Sequence, residues 1–145
     1  MPKSRKRTNR IMKLAVIDTN VIIAAQLTRH DDAATRRIVK AVFDGIVTPV
    51  ATPAILAEYA EVMSRPKFCI APETISTVVR YFRSHGRFVT PITYSEPLPD
   101  EKDRVFLEAV LALFDENAVL VTGNAKHFPS APFIVSPAEF AATLG

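Results

Sequence analysis

The residues most able to do chemistry are acidic side chains attached to apolar segments. Asp18 follows directly on the apolar run 14–17, whose length and branched residues predict a buried strand. The carboxyl ends of parallel strands are where α/β proteins bind ligands. Asp18 is therefore a candidate site residue, although a strand-end turn or a helix cap also explains an Asp at this position.

Glu58 is the second acid that stands beside apolar residues. Its neighbours at helical spacing are Ile55 and Val62, so it shares a face with expected core residues, whereas Glu61 is expected to face solvent. A half-buried carboxylate needs a partner, a metal or a raised pKa. A salt bridge to a neighbouring arginine is the alternative to a functional role.

The segments near residues 100 and 124 complete the candidate set. Asp100 and Asp103 flank the start of the strongest amphipathic helix, and Asp103 lies at the end of its apolar stripe. A helix cap also explains Asp100. Asn124 follows the predicted fourth strand, again at a carboxyl end, and the Thr122 hydroxyl can orient one of these carboxylates.

Clustered carboxylates repel one another unless cations bind among them. Hard oxygen donors select Mg²⁺ or Mn²⁺ rather than zinc. An acidic site without Cys or His ligands suits the hydrolysis of a phosphodiester, in which one metal activates water and a second stabilises the leaving oxygen.

The elements that must position these residues alternate between strands and helices, which predicts a parallel sheet flanked by helices. Strands are expected at 14–17, 46–48, 88–90, 118–121 and 133–135. Helices are expected over 21–27, from a cap at Asp31 or Asp32 to 43, and over 52–64, 72–84, 101–114 and 137–144. The core face of the helix over 101–114 includes Phe114.

Length and composition set the class of protein. The 145 residues are 48% hydrophobic and 23% charged, as in one globular domain. Five of the 18 basic residues lie in the first ten positions, so the net charge of +3 divides into a basic tail and a slightly acidic remainder. We therefore expect a disordered basic tail over 1–10, which is either a solvated extension or an accessory RNA contact, and a single domain over 11–145.

The cysteine count and the hydropathy exclude several classes. The single Cys69 excludes an intramolecular disulfide, and three scattered histidines argue against structural zinc. No apolar run reaches the length of a membrane span. We expect a cytoplasmic protein without a membrane segment.

Four motifs in order resemble the PIN domain family. They are VIDTNV at 16–21, SRPKF at 64–68 after the Glu58 helix, LPDEKDRVFL at 98–107 and VTGNAKHF at 121–128. The resemblance extends from about residue 14 to residue 135. Within the family the chain most resembles the VapC-like toxin components of bacterial type II toxin–antitoxin systems.

The resemblance implies a three-layer α/β/α sandwich with a mostly parallel central sheet and a Mg²⁺- or Mn²⁺-dependent endoribonuclease. The acids of the family match Asp18, Glu58 and Asp103, with Asp100 as a further acid of this branch, and these four are the implied metal ligands. Asn124 stands where the family often has Asp, so the site carries one charge fewer. In related sequences an Asp can occur where His127 stands, which leaves the fourth acidic position open. His127 itself is expected to cap a turn or to contact phosphate.

The resemblance also implies partners. They are an RNA substrate, a small antitoxin protein that covers the cleft, and a second copy of the chain in a homodimer. Four cations lie in or beside the motifs and are expected to contact phosphates as a set: Arg65, Lys67, Arg104 and Lys126.

Two other readings remain open. A PIN-like module that binds RNA or protein without cutting is favoured by Asn124 and opposed by the retention of Asp18, Glu58 and Asp103. A haloacid-dehalogenase-like phosphatase needs a second Asp two positions after the first, where this chain has Asn20. Mn²⁺-dependent cleavage of RNA separates the nuclease from the binding module.

Overall fold

Strands and helices alternate along the chain, as the sequence predicts. The computed structural model describes residues 13–145, so the predicted tail over 1–10 and the first two residues of the predicted domain lie outside the described residues. In chain order the elements are β1 (Lys13–Ile17), α1 (Thr19–Leu27), α2 (Ala34–Phe43), β2 (Val47–Ala51), α3 (Pro53–Met63), α4 (Pro72–His85), β3 (Arg87–Phe88), α5 (Arg104–Leu111), β4 (Val119–Val121), β5 (Ile134–Val135) and α6 (Pro137–Ala142).

The five strands form one parallel sheet in the order β3-β2-β1-β4-β5. The central strand β1 is buried at every position from 14 to 17, so both of its faces are covered. Helices therefore pack on the two sides of the sheet, and the expected α/β sandwich is confirmed.

The pairing register brings the ends of all five strands into one row. Phe88 pairs with Ala51, and Ile17 pairs with Val121, which in turn pairs with Val135. The register of β1 with β2, continued along both strands, sets Ile17 level with Ala51. The residues that follow the strands consequently meet at one edge of the sheet.

Tyr59 fixes three helices against this edge. Its ring is buried in α3, packs edge-on against Phe82 of α4 and stacks on Phe106 of α5. Its hydroxyl donates a hydrogen bond of 2.6 Å to the carbonyl oxygen of Ile17. The helix that carries Glu58 is thereby held against the strand that ends before Asp18.

The helix starts were predicted with mixed success. Thr52 caps α3 as expected, because its hydroxyl accepts the N–H of Ile55 at 3.1 Å. The predicted cap of α2 by Asp31 or Asp32 is wrong, since the helix begins after Ala33 without a side-chain cap. The Asp31 carboxylate instead accepts a hydrogen bond from the Arg36 guanidinium at 3.2 Å.

The predicted helix over 101–114 is shorter in the structure. A 3-10 turn over Glu101–Asp103 precedes α5, and a second turn over Phe114–Glu116 follows it. Phe114 was expected in the core but is 71% exposed. The α-helical period ends at Leu111, so Leu113 takes the buried position instead.

Two smaller findings complete the fold. The third strand is limited to Arg87 and Phe88, whereas 88–90 was predicted. Among the helices of residues 13–145, none has the length and apolar character needed to cross a bilayer.

Candidate functional site

Asp18 lies at the carboxyl edge of the sheet between β1 and α1. Its side chain caps α1 with a 3.4 Å contact from the N–H of Asn20 to Oδ1, and its own N–H donates to Val121. Oδ2 accepts a hydrogen bond of 2.7 Å from the Thr122 hydroxyl. The residue is only 4% exposed, and burial raises the pKa of its carboxyl against the opposing effect of these hydrogen bonds.

Thr122 joins Asp18 to the loop that carries Asn124. Its buried hydroxyl donates to Asp18 and accepts the backbone N–H of Asn124 at 3.0 Å. This is the orienting role that the sequence predicts for Thr122. The half-buried Asn124 is thus held three residues beyond the end of β4, beside the strand that leads to Asp18.

Asp103 is the most perturbed acid of the site. Its side chain is 13% exposed, and the buried Oδ2 atom has no hydrogen bond within the described part of the chain. The pKa of its carboxyl is raised to about 6, first by burial and then by the charges of Asp18 and Asp100, and the neighbouring His127 lowers it only in part. The Nδ1 atom of His127 lies 3.3 Å from Oδ2, within ion-pair distance but without hydrogen-bond geometry.

Glu58 belongs to the same acidic group. Burial raises the pKa of its half-buried carboxyl, and the charges of Glu61 and Asp18 add to that effect. The expected alternative, a salt bridge to a neighbouring arginine, does not form, because Arg65 pairs with the exposed Glu61 through contacts of 3.0 and 3.2 Å. Lys102 and Arg65 still lower the pKa of Glu58 at longer range.

Asp100 has a backbone role as well as a charge. Its carboxylate accepts the N–H of Lys102 at 3.0 Å and so caps the 3-10 turn that leads to Asp103. The helix-cap interpretation of Asp100 is therefore correct for its hydrogen bond. Its charge also contributes to the raised pKa of Asp103, which brings Asp100 into the acidic group.

The PIN domain family model matches residues 14–126, a range that covers most of the chain and within which the five candidate site residues fall. The chain belongs to the PIN domain family. The predicted family is confirmed, and PIN domains are generally metal-dependent nucleases. Compared with curated proteins, the chain has no significant match.

The donor set of this PIN domain fits a divalent cation. Within residues 13–145, no three acidic, histidine or cysteine side chains are gathered tightly enough to form a finished metal site. Asp103 nevertheless presents a buried oxygen without a hydrogen bond, next to the like charges of Asp18 and Asp100. A cation relieves both conditions, and carboxylate oxygens are the ligands that Mg²⁺ and Mn²⁺ prefer.

Of the four cations expected to contact phosphates, Arg104 and Arg65 are held by acidic side chains. The other two are Lys67 and Lys126. The Arg104 guanidinium is occupied by the Glu101 carboxylate at 2.8 Å and by the carbonyl oxygens of Tyr94 and Glu96. Arg65 is occupied by Glu61, as described above. Lys67 lies 5.1 Å from the centre of the Phe68 ring, and Lys126 is exposed in the 3-10 turn Ala125–His127. Arg104 therefore holds the loop before α5 together.

The sequence did not predict how close two charged or titratable residues, His127 and Lys102, lie to the acids. His127 was expected to cap a turn or contact phosphate, and its position beside Asp103 depends on contacts between distant segments. Lys102 was not singled out, yet its charge reaches both Glu58 and Glu61. Its place between Asp100 and Asp103 is the signal that could have identified it.

Proposed function

We propose that this PIN domain is a Mg²⁺- or Mn²⁺-dependent endoribonuclease that hydrolyses RNA phosphodiester bonds. The observation that carries the proposal is the Asp103 carboxylate, whose buried Oδ2 lacks a hydrogen bond and whose pKa is raised to about 6. Burial together with the like charges of Asp18 and Asp100 is the cause, and a bound cation would reverse it.

The proposal gives each site residue a role. Asp18 and Asp103 are the central ligands of the cation. We assign Oδ1 of Asp18 to the cation, because it accepts only the long 3.4 Å contact from the Asn20 N–H, whereas Oδ2 accepts the 2.7 Å hydrogen bond from Thr122. Glu58 and Asp100 hold the cation or orient the attacking water, and Asn124 donates a hydrogen bond to that water or to a ligand carboxylate. A divalent cation supplies activation of a water molecule and neutralises charge on the phosphodiester.

The decisive experiment compares RNA cleavage by the wild type and by Asp18→Asn in Mn²⁺. We expect the variant to lose cleavage and keep its fold, because the amide preserves shape and removes the charge that binds the cation. Asp44→Asn is the matched control, since Asp44 is an exposed acid that directly follows α2 and pairs with Lys40. Full cleavage by Asp18→Asn, or by the wild type in excess EDTA, would overturn the proposal.

The finer assignment is the toxin component of a bacterial type II toxin–antitoxin system that acts in the cytoplasm. It is supported by the resemblance of the four motifs to VapC-like toxins. The proposal includes a small antitoxin partner and a homodimer. Co-purification with the product of the adjacent reading frame tests the antitoxin, and light scattering tests the dimer. If no neighbouring frame encodes a small partner, the toxin assignment fails while the nuclease assignment stands.

The second candidate is a PIN module that binds RNA or protein without cutting. Asn124 favours it, because this side chain is uncharged at a position where the family often has an acid. The module predicts RNA binding that is unchanged by Mn²⁺ and gives no cleavage products. The nuclease predicts products that appear only with the divalent cation.

A further inference from the structure

A concave feature lies between α3, α4 and β3. It is a groove of about 350 Å³ whose walls include Leu56 and Val79, with Pro53 at one end. Phe88 and Arg83 complete it. The groove is therefore mostly apolar, with one aromatic ring and one guanidinium.

The two functional groups of the groove are exposed. Phe88 is 42% exposed, although a phenylalanine at the end of a strand is normally covered. Arg83 is exposed, and in the described part of the chain no acidic side chain lies within ion-pair distance of it. Gly86 joins α4 to β3 at a point with no room for a side chain, because a Cβ there would clash with the Phe82 carbonyl oxygen and lie 3.0 Å from the Pro49 carbonyl oxygen.

The sheet register places the groove on the same edge as the acids. Phe88 is level with Ala51 and, through the β1–β2 register, with Ile17, the residue before Asp18. Two strand spacings separate Phe88 from Ile17, which is about 10 Å. A strand of RNA whose phosphodiester lies at Asp18 can therefore reach the groove with a neighbouring nucleotide.

We propose that this groove binds an unpaired base of single-stranded RNA next to the cleaved phosphodiester. Phe88 stacks on the base, and Arg83 pairs with an adjacent phosphate. The proposal rests on the proposed ribonuclease function for its substrate. The RNA must be single-stranded, because the stacked and paired bases of a duplex cannot present a face to Phe88.

The charge of the groove favours RNA over an apolar protein segment. An apolar segment would cover Arg83 without supplying a counter-charge, and burial of an unpaired guanidinium is costly. A nucleotide supplies an aromatic face for Phe88 and an anion for Arg83 at the same time.

The experiment measures binding of a short, fluorescently labelled single-stranded RNA by anisotropy, in EDTA and low salt. Phe88→Ala is expected to weaken binding roughly 5- to 100-fold, the range of one base–aromatic stack. Phe88→Tyr keeps the ring and should bind as the wild type does. Phe114→Ala is the matched control, because Phe114 is also exposed but does not line the groove.

A second variant tests the phosphate contact. Arg83→Ala should weaken binding and reduce the dependence of log Kd on log salt by about 0.7, the value for one phosphate of a single strand. In Mn²⁺, Phe88→Ala should raise the KM for RNA cleavage and leave kcat near the wild-type value.

Two results would overturn the groove proposal. One is binding by Phe88→Ala equal to that of Phe114→Ala. The other is a change in oligomeric state in Phe88→Ala without a change in RNA affinity, which identifies the groove as a protein interface. If the wild type binds RNA but does not cut it, the ribonuclease proposal fails while the binding assay still tests the groove. If RNA is cut and Phe88→Ala behaves as the wild type in both assays, the groove proposal alone fails.

Discussion

Thr122 donates a hydrogen bond of 2.7 Å to Oδ2 of Asp18, although the two residues are 104 positions apart. The parallel pairing of Ile17 with Val121 makes this contact possible, because it places the residues after β1 and β4 side by side. The bond fixes the rotation of the Asp18 carboxylate and leaves Oδ1 as its other oxygen.

Thr122→Val should therefore lower activity and metal affinity more than it lowers the stability of the fold. Valine preserves the shape of the side chain and removes the hydroxyl that orients Asp18. We expect cleavage or metal affinity to fall about 10- to 100-fold, as for other groups that orient metal ligands. Mn²⁺ titration and cleavage rates measure the effect, and Thr122→Ser, which keeps the hydroxyl, should behave as the wild type. Wild-type behaviour of Thr122→Val would contradict the orienting role.

The raised pKa of Asp103 predicts how stability depends on pH without metal. Between about pH 4 and pH 6 the folded state binds more protons at Asp103 than the unfolded state does. The free energy of unfolding should therefore fall as pH rises through this window. Urea unfolding in EDTA measures the slope. Asp103→Asn should reduce the slope but not abolish it, because the pKa values of Asp18 and Glu58 are raised as well. An unchanged slope in that variant would show that Asp103 is not responsible.

Divalent cations should stabilise the fold through the same acids. A ligand that binds only the folded state at 100 times its Kd adds about 2.7 kcal/mol to the free energy of unfolding. We expect Mn²⁺ to raise Tm in the wild type and in Asp44→Asn, and to raise it little in Asp103→Asn. Thermal unfolding with and without Mn²⁺ provides the comparison. An equal rise in all three proteins would place the bound cation elsewhere.

Arg104 should act as a structural residue rather than as a phosphate contact. Its guanidinium binds Glu101 and the carbonyl oxygens of Tyr94 and Glu96, so it fixes the loop that carries Asp100. We expect Arg104→Ala to lower the free energy of unfolding, because three acceptors of the loop lose their donor. The salt dependence of RNA binding should stay unchanged. If Arg104→Ala instead reduced the salt dependence of RNA binding and left stability unchanged, Arg104 would be a phosphate contact, as the sequence predicts.

Local patterns predicted the parts of the site that depend on strand and helix ends. Asp18 follows an apolar strand, and Thr122 follows another, so the sheet edge brings them together. The contact between His127 and Asp103 could not be predicted, because it depends on how two loops meet after distant strands. Phe114 was misplaced since a change from α-helical to 3-10 geometry shifts the side-chain period within one turn.

Tyr59 provides the last prediction, because it joins the Glu58 helix to the Asp18 strand. Burial raises the pKa of its hydroxyl, which therefore remains a donor to the Ile17 carbonyl. Tyr59→Phe keeps the ring packing and removes this bond, so we expect a loss of about 1–3 kcal/mol in the free energy of unfolding.

The same substitution should lower kcat for RNA more than it raises KM, because Glu58 loses its fixed position relative to Asp18. Urea unfolding and cleavage kinetics measure the two effects separately. Tyr81→Phe is the matched control, since the Tyr81 hydroxyl binds the carbonyl oxygen of Val42 away from the acids. Equal losses of kcat in the two variants would show that stability, rather than the position of Glu58, limits the activity.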